Sequence, residues 1–475
     1  MIKNICFVSG LIACLAFLVP LAPAQETSGA TSAVAAAPEA SAPTPQLGSV
    51  YRPASDIARS GYAHTTYVLR SFDGGIPHGL SAPGRIQSGI NPLVTTEEAE
   101  TPQSLGCLYV GSPGSAGCIP NYNSGSGGPT AVGYGAIALV DAYDNPNAAA
   151  DLLAFDNYWV LPPATFVKVY ANGNGDCTTP PADANWSVES SMDIEYAHVF
   201  APKAAIILVE ACSNSMADLL YAEQVAFNYI VTNYPAGGQV SNSWQAGEFA
   251  GQIADDSTFA DFTYNFVNGY KTPILAFASA GDSGLGVGYP STNPWVISAG
   301  GTSILRNPTT LKFVSEACWG GSGGGTSTVE TYATTYSGGN TGPWADFQYP
   351  IFGQSNRATP DMSFDADPAS GAWVYSAYGL GAWGVIGGTS LSSPALAGIV
   401  NRNGQKLGSV FLTPVNSGSD WFSTWENNFA YSQLATAKAY KADFFDVKTG
   451  SNGSSAVANW DYCTGVGSPR GANGK

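Results

Sequence analysis

From about residue 132 to residue 299 the chain alternates between two hydrophobic patterns. Short apolar runs occur at 132–141, 165–170, 204–211, 274–280 and 295–299, and the more polar 238–244 reads as a further strand. Segments with apolar positions at helical spacing lie between them, at 145–155, 188–200, 216–232 and 259–270. Continuous apolar runs suit strands buried on both faces, and strand–helix alternation predicts an α/β fold with a central, mostly parallel β-sheet and helices on both faces. Sites in such sheets lie at the carboxyl ends of the strands, where Asp141, Trp244 and Asp282 fall. Further on, 373–375 and 383–386 read as short strands and 395–400 as an apolar helical face.

Upstream the pattern is weaker. Residues 1–24 combine Lys3, an apolar run and Ala22-Pro23-Ala24, which is the make-up of a secretory signal. Residues 25–48 are rich in Ala, Pro, Ser and Thr and read as a disordered linker. Residues 49–105 carry few periodic signals. The expected organisation is a signal at 1–24, a linker and short pro-segment or arm at 25–100, and one large domain at 101–475. After the signal, no stretch is long and apolar enough to span a membrane.

Composition narrows the function. The net charge is −17 with 11% charged residues, which does not suit nucleic acid or anionic membranes and does suit acid, where carboxylates lose charge. An exported chain keeps Cys107, Cys118, Cys177, Cys212, Cys318 and Cys463, an even set that implies disulfides. Close spacing makes Cys107–Cys118 the expected pair; the other pairings stay open.

The chemistry starts at Gly387-Gly388-Thr389-Ser390-Leu391-Ser392-Ser393-Pro394. This reads as a strand-to-helix turn with a hydroxyl at its apex, beside free helix N–H groups that favour a developing negative charge. Pro394 is expected in the first helical turn. A serine nucleophile needs a base. The chain has three histidines, and of these only His198 lies within the α/β pattern. On a regular helix Glu189 and Asp193 share one face, whereas His198 is roughly 180° round from Glu189 and roughly 140° from Asp193. His198 is therefore expected to pair with Glu195 or a carbonyl. Two close carboxyls share protons and can serve as base in acid, where histidine is protonated. Asp282, just past a buried strand, can donate to an oxyanion when protonated.

These segments, with Trp186-Ser187-Val188-Glu189-Ser190-Ser191-Met192-Asp193, Ser243-Trp244, Ser279-Ala280-Gly281-Asp282-Ser283-Gly284, Gly300-Gly301-Thr302-Ser303, Pro360-Asp361 and Thr464-Gly465-Val466-Gly467-Ser468-Pro469, resemble the sedolisin family of serine-carboxyl peptidases from about residue 101 to 469. The resemblance implies a subtilisin-like fold and a secreted serine-type endopeptidase working in acid. Ser390 would be the nucleophile, Glu189 the general acid and base, Asp193 its partner, and Asp282 with the Ser390 N–H the oxyanion donors. Asp141 and Trp244 would extend the proton network. It also implies one structural Ca2+ held by Asp446, Val447, Val457, Asn459 and Asp461, the family carrying glycine where this chain has Val457 and Asn459. The expected partners are protein or peptide substrates, with no nucleic acid, no membrane after signal removal, and a monomeric enzyme. Family precursors carry a long folded pro-domain, whereas only about eighty residues follow Ala24 here before the catalytic pattern. The alternatives are an inactive secreted binding module on the same fold and a neutral subtilisin-type protease using His198.

Overall fold

The computed structural model describes residues 50–70, 99–111, 118, 132–259, 274–331, 348, 356–402 and 437–470. The expected signal, the linker and most of the helix expected at 259–270 lie outside the described residues.

An arm comes first, with strands β1 (Val50–Tyr51), β2 (His64–Thr65) and β3 (Val68–Arg70). Helix α1 (Pro102–Val110) follows, started by a capping box in which the Thr101 hydroxyl accepts the Ser104 N–H and the Ser104 hydroxyl accepts that of Thr101. The α/β repeat then runs β4 (Ala136–Ala142), α2 (Ala148–Trp159), β5 (Thr165–Ala171), α3 (Ala184–Phe200), β6 (Ala205–Ala211), α4 (Met216–Asn233) and β7 (Gly238–Asn242). It continues with β8 (Trp244–Gly247), α5 (Gln252–Asp255), β9 (Ile274–Ser279), β10 (Gly288–Tyr289), β11 (Val296–Arg306) and β12 (Phe313–Cys318). Last come β13 (Gly325–Thr331), β14 (Asn356–Thr359), β15 (Met362–Asp365), β16 (Ala372–Ser376), β17 (Ala382–Gly387), α6 (Thr389–Asn401), α7 (Ala437–Asp443), β18 (Phe444–Phe445) and β19 (Ser468–Pro469).

The main sheet has the order β12-β11-β9-β7-β4-β6-β5, with β15 also on β11. Its pairs are parallel except β11–β12. Alternate residues along β4 enter different cores, as strand geometry requires. Ile137 and Leu139 join the core that contains Met192 of α3 and Leu391 of α6. Ala138 and Val140 join the core that contains Leu219 and Phe227 of α4. Both faces are thus covered, which accounts for the lack of polar alternation in the strands.

β16 and β17, where two short strands were expected, pair as an antiparallel hairpin. Cys107–Cys118 is bonded as its spacing implied, and Cys177–Cys212 and Cys318–Cys463 complete the set. Among the described residues no helix is long and apolar enough to cross a membrane.

Candidate active site

Helix α3 is started by Asp183, whose side chain accepts the Asn185 and Trp186 N–H groups at 2.9 and 3.0 Å. From Trp186 to Phe200 every residue is buried, so the helix places Glu189 and Asp193 in the interior rather than on a solvated face. Helix α6 starts at Thr389 beside them, in the same core. Here the structure differs from the sequence reading of Pro394, which lies inside α6 rather than in its first turn. Proline has no N–H for the carbonyl one turn back. That carbonyl belongs to Ser390, and the Ser243 hydroxyl approaches it at 3.2 Å.

Glu189, Asp193, Asp141, Asp282 and Ser390 are all buried. The Ser243 hydroxyl bonds Asp193 Oδ1 at 2.8 Å. Asp282 Oδ1 accepts both the N–H and the hydroxyl of Thr389 at 2.8 Å, which anchors it at the head of α6. Asp282 Oδ2, Asp193 Oδ2 and both carboxyl oxygens of Asp141 and Glu189 have no tight hydrogen-bond partner among the described residues. The Ser390 hydroxyl lies close enough to Glu189 to favour its charged form. Ser390 Oγ makes its hydrogen-bond contacts with Thr66 Oγ1 at 2.8 Å and with the Ser243 carbonyl at 3.1 Å.

Burial pushes Glu189 well above the usual carboxyl range, and the nearby Asp193 and Asp141 charges add to this. Burial, then Asp141, does the same to Asp193, while the Ser243 hydroxyl opposes it. Asp141 is pushed by burial up to about 8. Asp282 is raised by burial and then by Asp56, against the two Thr389 bonds. In acid this group holds protons, and a neutral Asp282 has a free oxygen with which to donate. Trp244 stands beside the group, but its indole N–H donates to the Val140 carbonyl at 3.0 Å rather than to Asp141.

His198 lies elsewhere. Its Nε2 is 2.8 Å from the Pro162 carbonyl and 3.4 Å from Asp156, and burial lowers its pKa. The expected carbonyl partner is therefore present. Glu195 instead accepts the Tyr375 N–H at 3.2 Å.

Thr66 was not legible as part of this site. Its carbonyl accepts the Ser390 N–H at 3.0 Å, and its hydroxyl donates to Ser279 Oγ at 2.6 Å. The one available signal was the run His64-Thr65-Thr66-Tyr67-Val68-Leu69, which is rich in strand-forming residues.

The residues expected to hold calcium lie on one folded-back loop. Asp446 Oδ1 accepts the Asn459 N–H at 2.9 Å and the Tyr440 hydroxyl at 3.1 Å. That hydroxyl is also 3.3 Å from the Asn459 carbonyl. Asp461 Oδ2 accepts the Val457 N–H at 3.2 Å. Asn459 has φ 76°, a conformation asparagine tolerates better than most residues, at a position where the family carries glycine. Val447, next to Asp446, is buried. Among the described residues no three His, Cys, Asp or Glu side chains gather around a metal-sized space. The expected set differs in kind, with two carboxylates and three carbonyls. Such an all-oxygen set fits a hard cation in donor chemistry. Lys448 Nζ, 3.2 Å from Asp446 Oδ2, already supplies part of the positive charge.

No family model matches the chain. It is 30% identical to kumamolisin of Bacillus sp. (strain MN-32) over 321 residues, covering 63% of this chain and 52% of that protein. It is 30% identical to sedolisin of Pseudomonas sp. (strain 101) over 197 residues, covering 38% of this chain and 28% of the relative. The chain thus spans about half the length, or less, of the curated relatives it matches. The solved structure of Pseudomonas sedolisin complexed with two molecules of pseudo-iodotyrostatin aligns with a TM-score of 0.57 at 22% identity, covering 78% of this chain and 95% of that one. The serine-carboxyl motifs, the order of the strands and these likenesses agree: the chain is similar to members of the sedolisin family and has a subtilisin-like fold.

Proposed function

We propose that the chain is a secreted serine-carboxyl endopeptidase that hydrolyses peptide bonds of proteins in acid. The observation that carries this reading is the convergence of the buried carboxyls Glu189, Asp193 and Asp282 on Ser390, with His198 bonded elsewhere. Ser390 Oγ attacks the scissile carbonyl and gives its proton to Glu189, which shares a proton with Asp193 and later passes one to the leaving amine. Asp193 positions Glu189 and is itself held by Ser243. The Ser390 N–H and protonated Asp282 receive the oxyanion. Water then takes the place of the amine and Glu189 acts in reverse.

Asp446, Val447, Val457, Asn459 and Asp461 would hold one Ca2+, which when bound ties the loop after α7 together without entering the reaction. The substrates are proteins or peptides and the enzyme acts as a monomer outside the membrane.

The test is hydrolysis of a denatured protein in acid. Ser390→Ala abolishes it and Glu189→Gln reduces it strongly. The reading fails if His198→Ala is as damaging as Ser390→Ala while Glu189→Gln is harmless.

A further inference from the structure

Helix α3 has no exposed face to fix which way round it lies. Every residue from Trp186 to Phe200 is buried, with Val188, Met192, Ile194, Val199 and Phe200 in one core and Trp186 in the other. A helix buried all round gains little from one rotation over another through apolar burial alone, so its hydrogen bonds select the rotation. Glu189 supplies no such bond, since neither of its carboxyl oxygens has a tight partner among the described residues. Its place is set by the turn of backbone that carries it.

One side chain grips that turn. Asn145, three residues beyond the end of β4, is buried, and its Nδ2 faces α3. Nδ2 donates to the Ser187 carbonyl at 3.1 Å, to Ser190 Oγ at 3.0 Å and to Ser191 Oγ at 3.1 Å. These residues bracket Glu189 in the sequence. Ser187, Ser190 and Ser191 share one helix face, roughly 130° round the axis from the face that carries Glu189 and Asp193. That second face is held at Asp193 by the Ser243 hydroxyl at 2.8 Å. Bonds on two faces so far apart fix the rotation of the helix.

Asn145 is itself anchored to the sheet. Its N–H donates to Glu210 Oε1 of β6 at 2.7 Å, and its carbonyl accepts from Lys168 Nζ of β5 at 2.5 Å. Its Oδ1 accepts the Asn147 N–H at 3.1 Å. The residue before it, Asp144, accepts from Lys168 Nζ at 2.7 Å and from the Tyr170 hydroxyl at 3.0 Å. Asp141 lies near the end of β4, just upstream. Asn145 thus joins the sheet that carries Asp141 to the turn that carries Glu189.

We infer that Asn145 is a positioning residue for Glu189, setting the rotation of α3 at which the Glu189 carboxyl meets Ser390 while taking no part in proton transfer itself. This rests on the peptidase reading above. A side-chain atom about 5–6 Å from a helix axis moves by about 1 Å when the helix turns by about 10°. A misplacement of that size costs about 10²-fold in rate. The loss falls on kcat and not on KM, because Glu189 takes the Ser390 proton only as the bond to the substrate forms.

The experiment uses the full chain with an unstructured peptide substrate in acid. It reads kcat and KM for the wild type, for Asn145→Ala and for Ser190→Ala combined with Ser191→Ala, each with and without Glu189→Gln, the slowest rates being taken at high enzyme concentration. Denaturant unfolding of each variant in a Ser390→Ala background reports the fold. Asn145→Ala is expected to lower kcat about 10²-fold with KM within about twofold of the wild type. The serine pair is expected to lose part of this, since the Ser187 carbonyl still holds Asn145. In the Glu189→Gln background both changes should alter the residual kcat by less than about threefold, because the group they position is no longer a base. A residue that merely supports the fold would give a loss that adds to that of Glu189→Gln, and that result overturns the inference. An unchanged kcat in a folded Asn145→Ala also overturns it. If Asn145→Ala does not fold, the serine pair settles the matter: an unchanged kcat overturns the inference, and a loss that vanishes with Glu189→Gln upholds it. Additive losses in an active wild type leave the peptidase reading standing, whereas a wild type inactive in acid takes down both.

Discussion

Glu223 offers a measure of how far the fold itself depends on acid. It lies on α4, fully buried and away from Ser390, with Oε1 accepting from Asn242 at 3.2 Å and Oε2 without a partner among the described residues. Burial pushes its pKa from the ordinary 4.5 up to about 8, against the Asn242 bond. Between these values the folded state keeps a proton that the unfolded chain releases. The native state is therefore most favoured below about pH 4.5, and that advantage is lost as the pH rises towards 8. Each pH unit in this window is worth about 1.4 kcal/mol, so the whole window amounts to about 5 kcal/mol. That is comparable with the entire stability of many domains, which is about 5–15 kcal/mol. Glu223→Gln removes the titration and keeps an oxygen for Asn242. Denaturant unfolding is measured at several pH values in a Ser390→Ala background, which suppresses self-digestion. Near pH 4 the two proteins should be alike, and towards pH 8 the variant should be the more stable by several kcal/mol, about 1.4 for each unit crossed. Curves that stay parallel from pH 4 to pH 8 would refute a neutral buried Glu223.

Asp282→Ala should lower kcat by about 10²–10³, the usual loss for one oxyanion donor. Asp282→Asn should lose less, because it keeps an acceptor for Thr389 and adds an amide donor; equal rates for the two variants in acid would remove Asp282 from the oxyanion site. For the calcium loop, thermal unfolding of Ser390→Ala is compared with and without a strong chelator. Calcium at about a hundredfold its Kd contributes about 2.7 kcal/mol, a shift of several degrees, and an unchanged Tm would sink the site.

How much of this was legible varies with how local each signal is. β4 and β6 are apolar apart from Asp141 and Glu210 and buried over their full length, because both faces are covered, so they stood out directly. Glu189 and Asp193 were readable as one helix face because four residues make about one turn. The partners of that face were not readable. Ser243, which holds Asp193, comes from beyond β7, and Thr389, which holds Asp282, from the head of α6. Pro394 was misplaced because its effect lies in a bond it fails to make, freeing the Ser390 carbonyl for the Ser243 hydroxyl. The arm was the hardest to read. β2 and β3 are two and three residues long, too short for a period to show, and their pairings are wholly non-local.

The same burial links stability and chemistry in this protein. A histidine base can sit at a cleft edge and still titrate usefully near neutral pH. A carboxyl base paired with a second carboxyl needs one shared proton, and burial is what keeps that proton from leaving. Placing the pair on α3, a helix buried on every side, meets this need, and the cost falls on the fold above acid pH. Asp141, Asp193 and Glu189 then act together, since each charge raises the barrier to the next. Acid relieves the buried carboxyls of the core and makes Asp282 a donor by the same event, protonation. On the proposed reading, protonation both favours the fold and makes Asp282 a donor, while one negative charge must stay within the Glu189–Asp193 pair to take the Ser390 proton, so activity is expected to fall towards neutral pH as the scaffold loosens.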